Sequence, residues 1–142
     1  MTYATLDGLI SRYGEQMLLD IADRSSPPAG VVDVATVDRA LENTDAVVNA
    51  SLAVRYQLPI APVPAIVVDI AEAIAIYKLH RFVVEPKIKE EYDQAQRDLS
   101  DIASGKKKLD LAGVEPASSG AGTVIAIDRE RPLSPESMRG FI

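Results

Sequence analysis

The chain has 142 residues, enough for one domain with its own core and too few for two independent catalytic folds. Hydrophobic residues make up 47% and aromatics only 5%, so Ala, Val, Leu and Ile must fill that core. Fifteen Lys and Arg against 21 Asp and Glu leave a net charge of -6, the wrong sign for gripping phosphate backbones, and a chain with no Cys and a single His excludes thiolate nucleophiles, disulfides, Cys-ligated zinc and two-imidazole sites.

Residues Met1 to Asp7 show no basic segment followed by an apolar run, so no signal peptide is expected. The charge-free stretch from Gln57 to Val68 is broken by Pro59, Pro62 and Pro64 and is far shorter than the ~20 apolar residues of a membrane span. A protein made and kept in the cytosol until assembly is the expectation.

Thr5 is placed to cap a short helix from Leu6 to Tyr13, in which Leu6, Leu9, Ile10 and Tyr13 recur at helical spacing and Gly14 is the stop. A second short helix runs from Glu15 to about Ala22. Residues Asp23 to Gly30 hold adjacent prolines and several other turn formers and must be a loop. Asp33 can cap a long helix from Val34 to about Tyr56, whose inward stripe is Val37, Leu41, Thr44, Val48 and Leu52. Leu58-Pro59 stops it, the following prolines keep the connection extended, and Pro64 takes the first position of the next helix. That helix reaches about Phe82 and is apolar nearly all round from Ala65 to Ile76, the pattern of a central element covered on several sides. Pro86 opens a last helix with Ile88, Tyr92, Ala95, Leu99 and Ile102 inward, an Asp93–Arg97 pair outward and Gly105 as its end.

From Ser104 onward the composition shifts to Gly, Pro and Ser, with a Lys106-Lys107-Lys108 run and the stretch Ser118 to Gly122. Such a segment cannot bury enough apolar surface to fold alone. Two apolar islands break it: Thr123 to Ile127, a strand candidate, and Met138-Arg139-Gly140-Phe141-Ile142, an apolar tip beyond a polar linker that suits ordering by docking. The expected fold class is therefore all-α: a bundle-like core of four to five helices over residues 1–105, and an extended arm over 106–142 that can add a short strand or hairpin.

Chemistry is sparse. The phosphate-loop, dinucleotide, zinc-protease, acyl-transfer and calcium-loop motifs are all missing from the sequence. Asp69 and Glu72, three apart on the most apolar helix, share a face and could serve as an acid/base pair or hold a hard cation. The simpler alternative makes them the wet side of that helix or partners of Arg39 or Arg55. His80 is either a pH-sensitive group or an imidazole that binds the last carbonyls of its helix. The acidic run Glu90, Glu91, Asp93, Asp98 and Asp101 reads as a solvated face or as a wall that keeps passing DNA from sticking. Lys106 to Lys108 reads as a solvated helix end or a contact for an acidic partner. No enzyme activity and no cofactor are expected.

The order of motifs resembles the Mu-like bacteriophage neck proteins, small helical head-tail connector or head-completion proteins. The resemblance rests on Tyr3-Ala4-Thr5-Leu6, Leu9-Ile10-Ser11-Arg12-Tyr13-Gly14, Asp23-Arg24, Val54-Arg55-Tyr56-Gln57-Leu58-Pro59, Val63-Pro64 and Glu91-Tyr92. It continues through Leu99, Asp101 to Lys106 and the closing Arg139-Gly140-Phe141, and so spans nearly the whole chain. It implies a structural virion protein that forms a ring of about twelve like copies beneath the portal and joins head to tail. The implied partners are the portal protein, a tail-side neck or terminator protein and DNA passing through the lumen without specific binding. The implied location is the virion neck, with no membrane contact. Met138, Arg139, Gly140, Phe141 and Ile142 are the candidate anchor to portal or neighbour, because an aromatic and an aliphatic beside Arg match hot-spot chemistry. The alternative is a soluble helical adaptor or regulatory domain that binds one protein partner.

Overall fold

In a computed structural model, residues 2–111 are described. Among them the chain forms five helices and no strand: α1 (Leu6–Tyr13), α2 (Glu15–Ala22), α3 (Val34–Leu52), α4 (Ala65–Leu79) and α5 (Pro86–Ser104). The all-α class is as expected. The strand candidate Thr123 to Ile127 and the tip Met138 to Ile142 lie outside the described residues.

Local chemistry sets the helix ends. Thr5 Oγ1 accepts from Gly8 N at 3.1 Å, and Asp33 Oδ1 accepts from the amides of Ala35 and Thr36, satisfying donors that have no intrahelical partner. The Thr36 hydroxyl, which donates to Asp33 Oδ2 at 2.6 Å, and then those amides hold the Asp33 carboxyl below the ordinary carboxylate range. Gly14, at φ 90°, both ends α1 and precedes α2. Gly105, at φ 81°, closes α5 in the left-handed conformation.

The three long helices form the bundle. α4 packs against both α3 and α5, α3 also touches α5, and the short helices lie outside, α1 on α4 and α2 on α3. The stripe Val37, Leu41, Thr44, Val48 and Leu52 is buried throughout, with the Thr44 hydroxyl donating back to Ala40 O. α4 is buried continuously from Ile70 to Ile76, as its all-round apolarity requires. Tyr77 of α4 stacks on Tyr92 of α5 with ring centroids 3.9 Å apart. Tyr3 and Ala4 are buried ahead of α1, where Tyr3 N donates to Asp45 and its hydroxyl to Asn49, both on α3.

Several boundaries differ from the sequence reading. α3 stops at Leu52 rather than near Tyr56, since Tyr56 and Ile60 turn inward and are buried, which bends residues 53–64 instead of leaving them extended. Pro64 caps α4 rather than opening it, and α4 ends at Leu79. His80 then folds its Nδ1–H onto Ile76 O at 2.8 Å, so the imidazole serves the helix end. Residues 106–111, placed in the arm from composition, return to the bundle: Leu109 and Leu111 are buried and Leu109 N donates to Tyr56 Oη at 3.0 Å. Lys107 and Lys106 pair with Asp98 and Asp101 of α5. On the outward face of α5, Asp93 pairs with Lys89, while Arg97 donates to Gln94, in place of the expected Asp93–Arg97 pair.

Candidate functional site

Two surface features stand apart from this packing. The first is a groove between α4 and α5, bounded at one side by the end of α1, with a cavity of about 220 Å³. Its floor is apolar, from Ile66, Ile70 and Ala73 of α4 and Ala95 of α5, and its rim is polar, from Asp69, Glu91, Gln94, Asp98 and Arg12. Alanines at 73 and 95 fill little of the floor, which leaves space that larger side chains would occupy.

Arg12 organises the rim. Its guanidinium reaches Glu72 Oε2 at 3.2 Å, Asp69 O at 3.3 Å and Asp69 Oδ1 at 3.5 Å, and comes within 3.7 Å of Glu91 Oε2. Burial opposes the charge on Arg12, but Tyr13 and the three carboxylates outweigh it and raise the guanidinium above its ordinary value. The neighbouring Tyr13 hydroxyl donates to Glu91 at 2.9 Å, and burial first, then that hydrogen bond, push the phenol well above the usual tyrosine range. One side chain on α1 thus ties together α4 and α5, at sequence separations of 57 and 60 residues to α4.

Asp69 and Glu72 do share a helical face, as their spacing implies, but their partner is Arg12 and neither Arg39 nor Arg55. Glu72 is also far from the wet side: it is 8% exposed, the only buried charged residue among the described residues. Gly8 explains the approach of α1, because a Cβ there would lie 2.6 Å from Glu72 Oε1. Among the described residues no group of three or more His, Asp or Glu converges in a way that could hold a metal ion, and no helix is long and apolar enough to cross a membrane. The acidic run on α5 divides accordingly. Glu91 and Asp98 line the groove, Asp98 also binding Lys107, and Asp93 and Asp101 bind lysines on the outer face.

The second feature is the corner between α4 and α5, Arg81-Phe82-Val83. Phe82 is 86% exposed and Val83 94% exposed, the most exposed large apolar residues of the described chain. Arg81 holds its guanidinium 5.8 Å from the Phe82 ring centroid. Sequence reasoning passed over this corner by extending α4 to Phe82, which would have placed the ring on a helix. The candidate anchor residues Met138, Arg139, Gly140, Phe141 and Ile142 lie outside the described residues.

Comparison with known proteins finds similarity to proteins of Mu and Mu-like phages. The family model described as Bacteriophage Mu, Gp36 matches residues 3–126. Gene product J of Escherichia phage Mu is 27% identical over 142 residues, covering all of both chains. The Mu-like prophage FluMu protein gp36 of Haemophilus influenzae is 34% identical over 110 residues, 78% of this chain and 77% of that protein. Since the family match takes in α1 to α5 and most of the chain beyond them, this chain belongs to the Bacteriophage Mu Gp36 family.

Proposed function

We propose that the chain is a structural virion protein that forms a ring beneath the portal vertex, joins the phage head to the tail and keeps the DNA channel continuous. It acts through contacts rather than catalysis, in the virion neck. The observation that carries this reading, beside membership of a Mu-like phage family, is the adjacent pair Phe82 and Val83, the most exposed large apolar residues among the described residues. A protein that stayed alone in water would lose nothing by having polar residues there, whereas an assembling one gains their burial. The net charge of -6 suits a conduit that DNA crosses without adhering. The copies of the ring, about twelve by likeness to the neck proteins, use a heterologous contact, which closes only if the rotation between neighbours divides a full turn.

The partners in this reading are like copies, the portal protein and a tail-side neck or terminator protein. Met138, Arg139, Gly140, Phe141 and Ile142 anchor the arm to portal or neighbour, and deleting residues 137–142 should abolish co-purification with portal; undiminished association removes that role. The function itself is tested by removing the gene from the phage that carries it. Filled heads and separate tails should accumulate, with joining restored by the gene supplied in trans. Infectious, joined particles that lack the polypeptide refute the proposal.

A further inference from the structure

We infer that the two surface features are the two halves of one contact: the Arg81-Phe82-Val83 corner of one copy seats in the α4/α5 groove of the next. This rests on the connector reading and specifies the interface that it requires.

The match is chemical on both sides. The corner presents an aromatic and an aliphatic side chain, 86% and 94% exposed, beside a cation. The groove presents an apolar floor from Ile66, Ile70 and Ala73, with Asp69 at its rim. Asp69 is only loosely held, at 3.5 Å from Arg12 with a side chain 72% exposed, and so retains charge for an incoming guanidinium. A cavity of about 220 Å³ has room for one aromatic ring.

Among the described residues the corner cannot reach the groove of its own chain. The corner lies beyond Leu79 and the groove floor at Ile70, nine residues back, which at 1.5 Å per residue is about 14 Å along a rigid helix. A second copy is the occupant in this inference, because its corner brings the apolar pair and the cation that the floor and Asp69 complement. Because donor and acceptor surfaces differ, the contact is head-to-tail, the type that closes into rings, and not the two-fold type that stops at a dimer.

Because the chain contains no cysteine, Val83→Cys and Gln94→Cys can report the contact by disulfide formation in assembled particles. Both positions are exposed, and a disulfide within one chain produces no multimer, so a ladder reports contact between copies. Particles carrying V83C and Q94C in the same chain should yield, on oxidation, a ladder of covalent multimers, and particles carrying either substitution alone should yield not even a cross-linked dimer. In the purified full chain Phe82→Ser should weaken self-association roughly 10- to 100-fold, the factor carried by burying one aromatic side chain. Arg81→Glu should weaken it too, and adding Asp69→Arg should restore it. A disulfide-linked dimer from V83C alone would mean corner-to-corner contact and would overturn the inference. Oxidised particles that contain the double variant but give no ladder would overturn it as well, with the corner then covered by portal or a tail-side protein and the connector reading intact. Particles devoid of the polypeptide would overturn the connector reading itself, and this contact with it.

Discussion

Replacing Gly8 by Ala sets two effects of opposite sign against each other. In an exposed helix the change stabilises by about 0.5–1 kcal/mol, because glycine loses more backbone freedom on folding. Here the added Cβ would stand 2.6 Å from Glu72 Oε1 and 3.3 Å from Thr5 Oγ1, the latter being the cap of the same helix. Glu72 has nowhere easy to go: the residue is 8% exposed, and its other oxygen holds Arg12 at 3.2 Å. Restoring normal contact requires a shift of several tenths of an ångström in a packed region, which typically costs about 1–3 kcal/mol. The net expectation is a loss of about 1–2 kcal/mol, seen as a fall of roughly 3–10 °C in Tm by circular dichroism for a domain of this size. The decisive measurement is a double-mutant cycle with Glu72→Ala, since on that background the obstacle is gone and Gly8→Ala should become neutral or stabilising. A Gly8→Ala protein that melts at or above the parent temperature, or a cycle with no coupling, refutes the argument that close approach of α1 to Glu72 is what requires glycine.

Arg12→Met should cost about 1–3 kcal/mol by urea unfolding, because it leaves the Glu72 carboxylate buried without its counter-charge; partial solvent access to Arg12 keeps the loss below that of a fully buried pair. Tyr13 is held neutral in the folded chain beyond the pH at which the unfolded chain ionises it, so its contribution to stability is complete below pH 10.0 and declines as pH rises above it. Tyr13→Phe should therefore flatten the fall in stability measured between about pH 10 and 12, though Tyr3, raised in the same direction, keeps part of it. Gly105→Ala should lower stability by about 1–2 kcal/mol or more in thermal melts, because it forces a left-handed backbone at φ 81° and sets a Cβ 2.5 Å from the Arg55 guanidinium.

The groove and the corner were legible in unequal measure. The shared face of Asp69 and Glu72 follows from their spacing, but Arg12 as their partner does not, because α1 and α4, separated by α2, α3 and the connections around them, can meet in many registers. The exposed corner was hidden by an error of three residues in where α4 ends, which follows from the apolar character of Phe82 itself: hydrophobicity marks burial in a folded chain or at an interface, and periodicity alone does not tell the two apart.

What the sequence by itself determined were the local features whose causes lie within a few residues. Thr5 and Asp33 cap because their side chains reach amides two or three positions ahead, Gly14 and Gly105 end helices because they accept positive φ, and α4 is central because it has almost no polar face. Only the tertiary structure decided which surfaces meet. Glu72 is buried because α1 crosses α4 at Gly8, and residues 106–111 join the core because Tyr56 offers its hydroxyl to Leu109 across 53 positions of sequence. Those contacts depend on the relative placement of whole helices, a sum over many weak packing interactions that no short window of sequence contains.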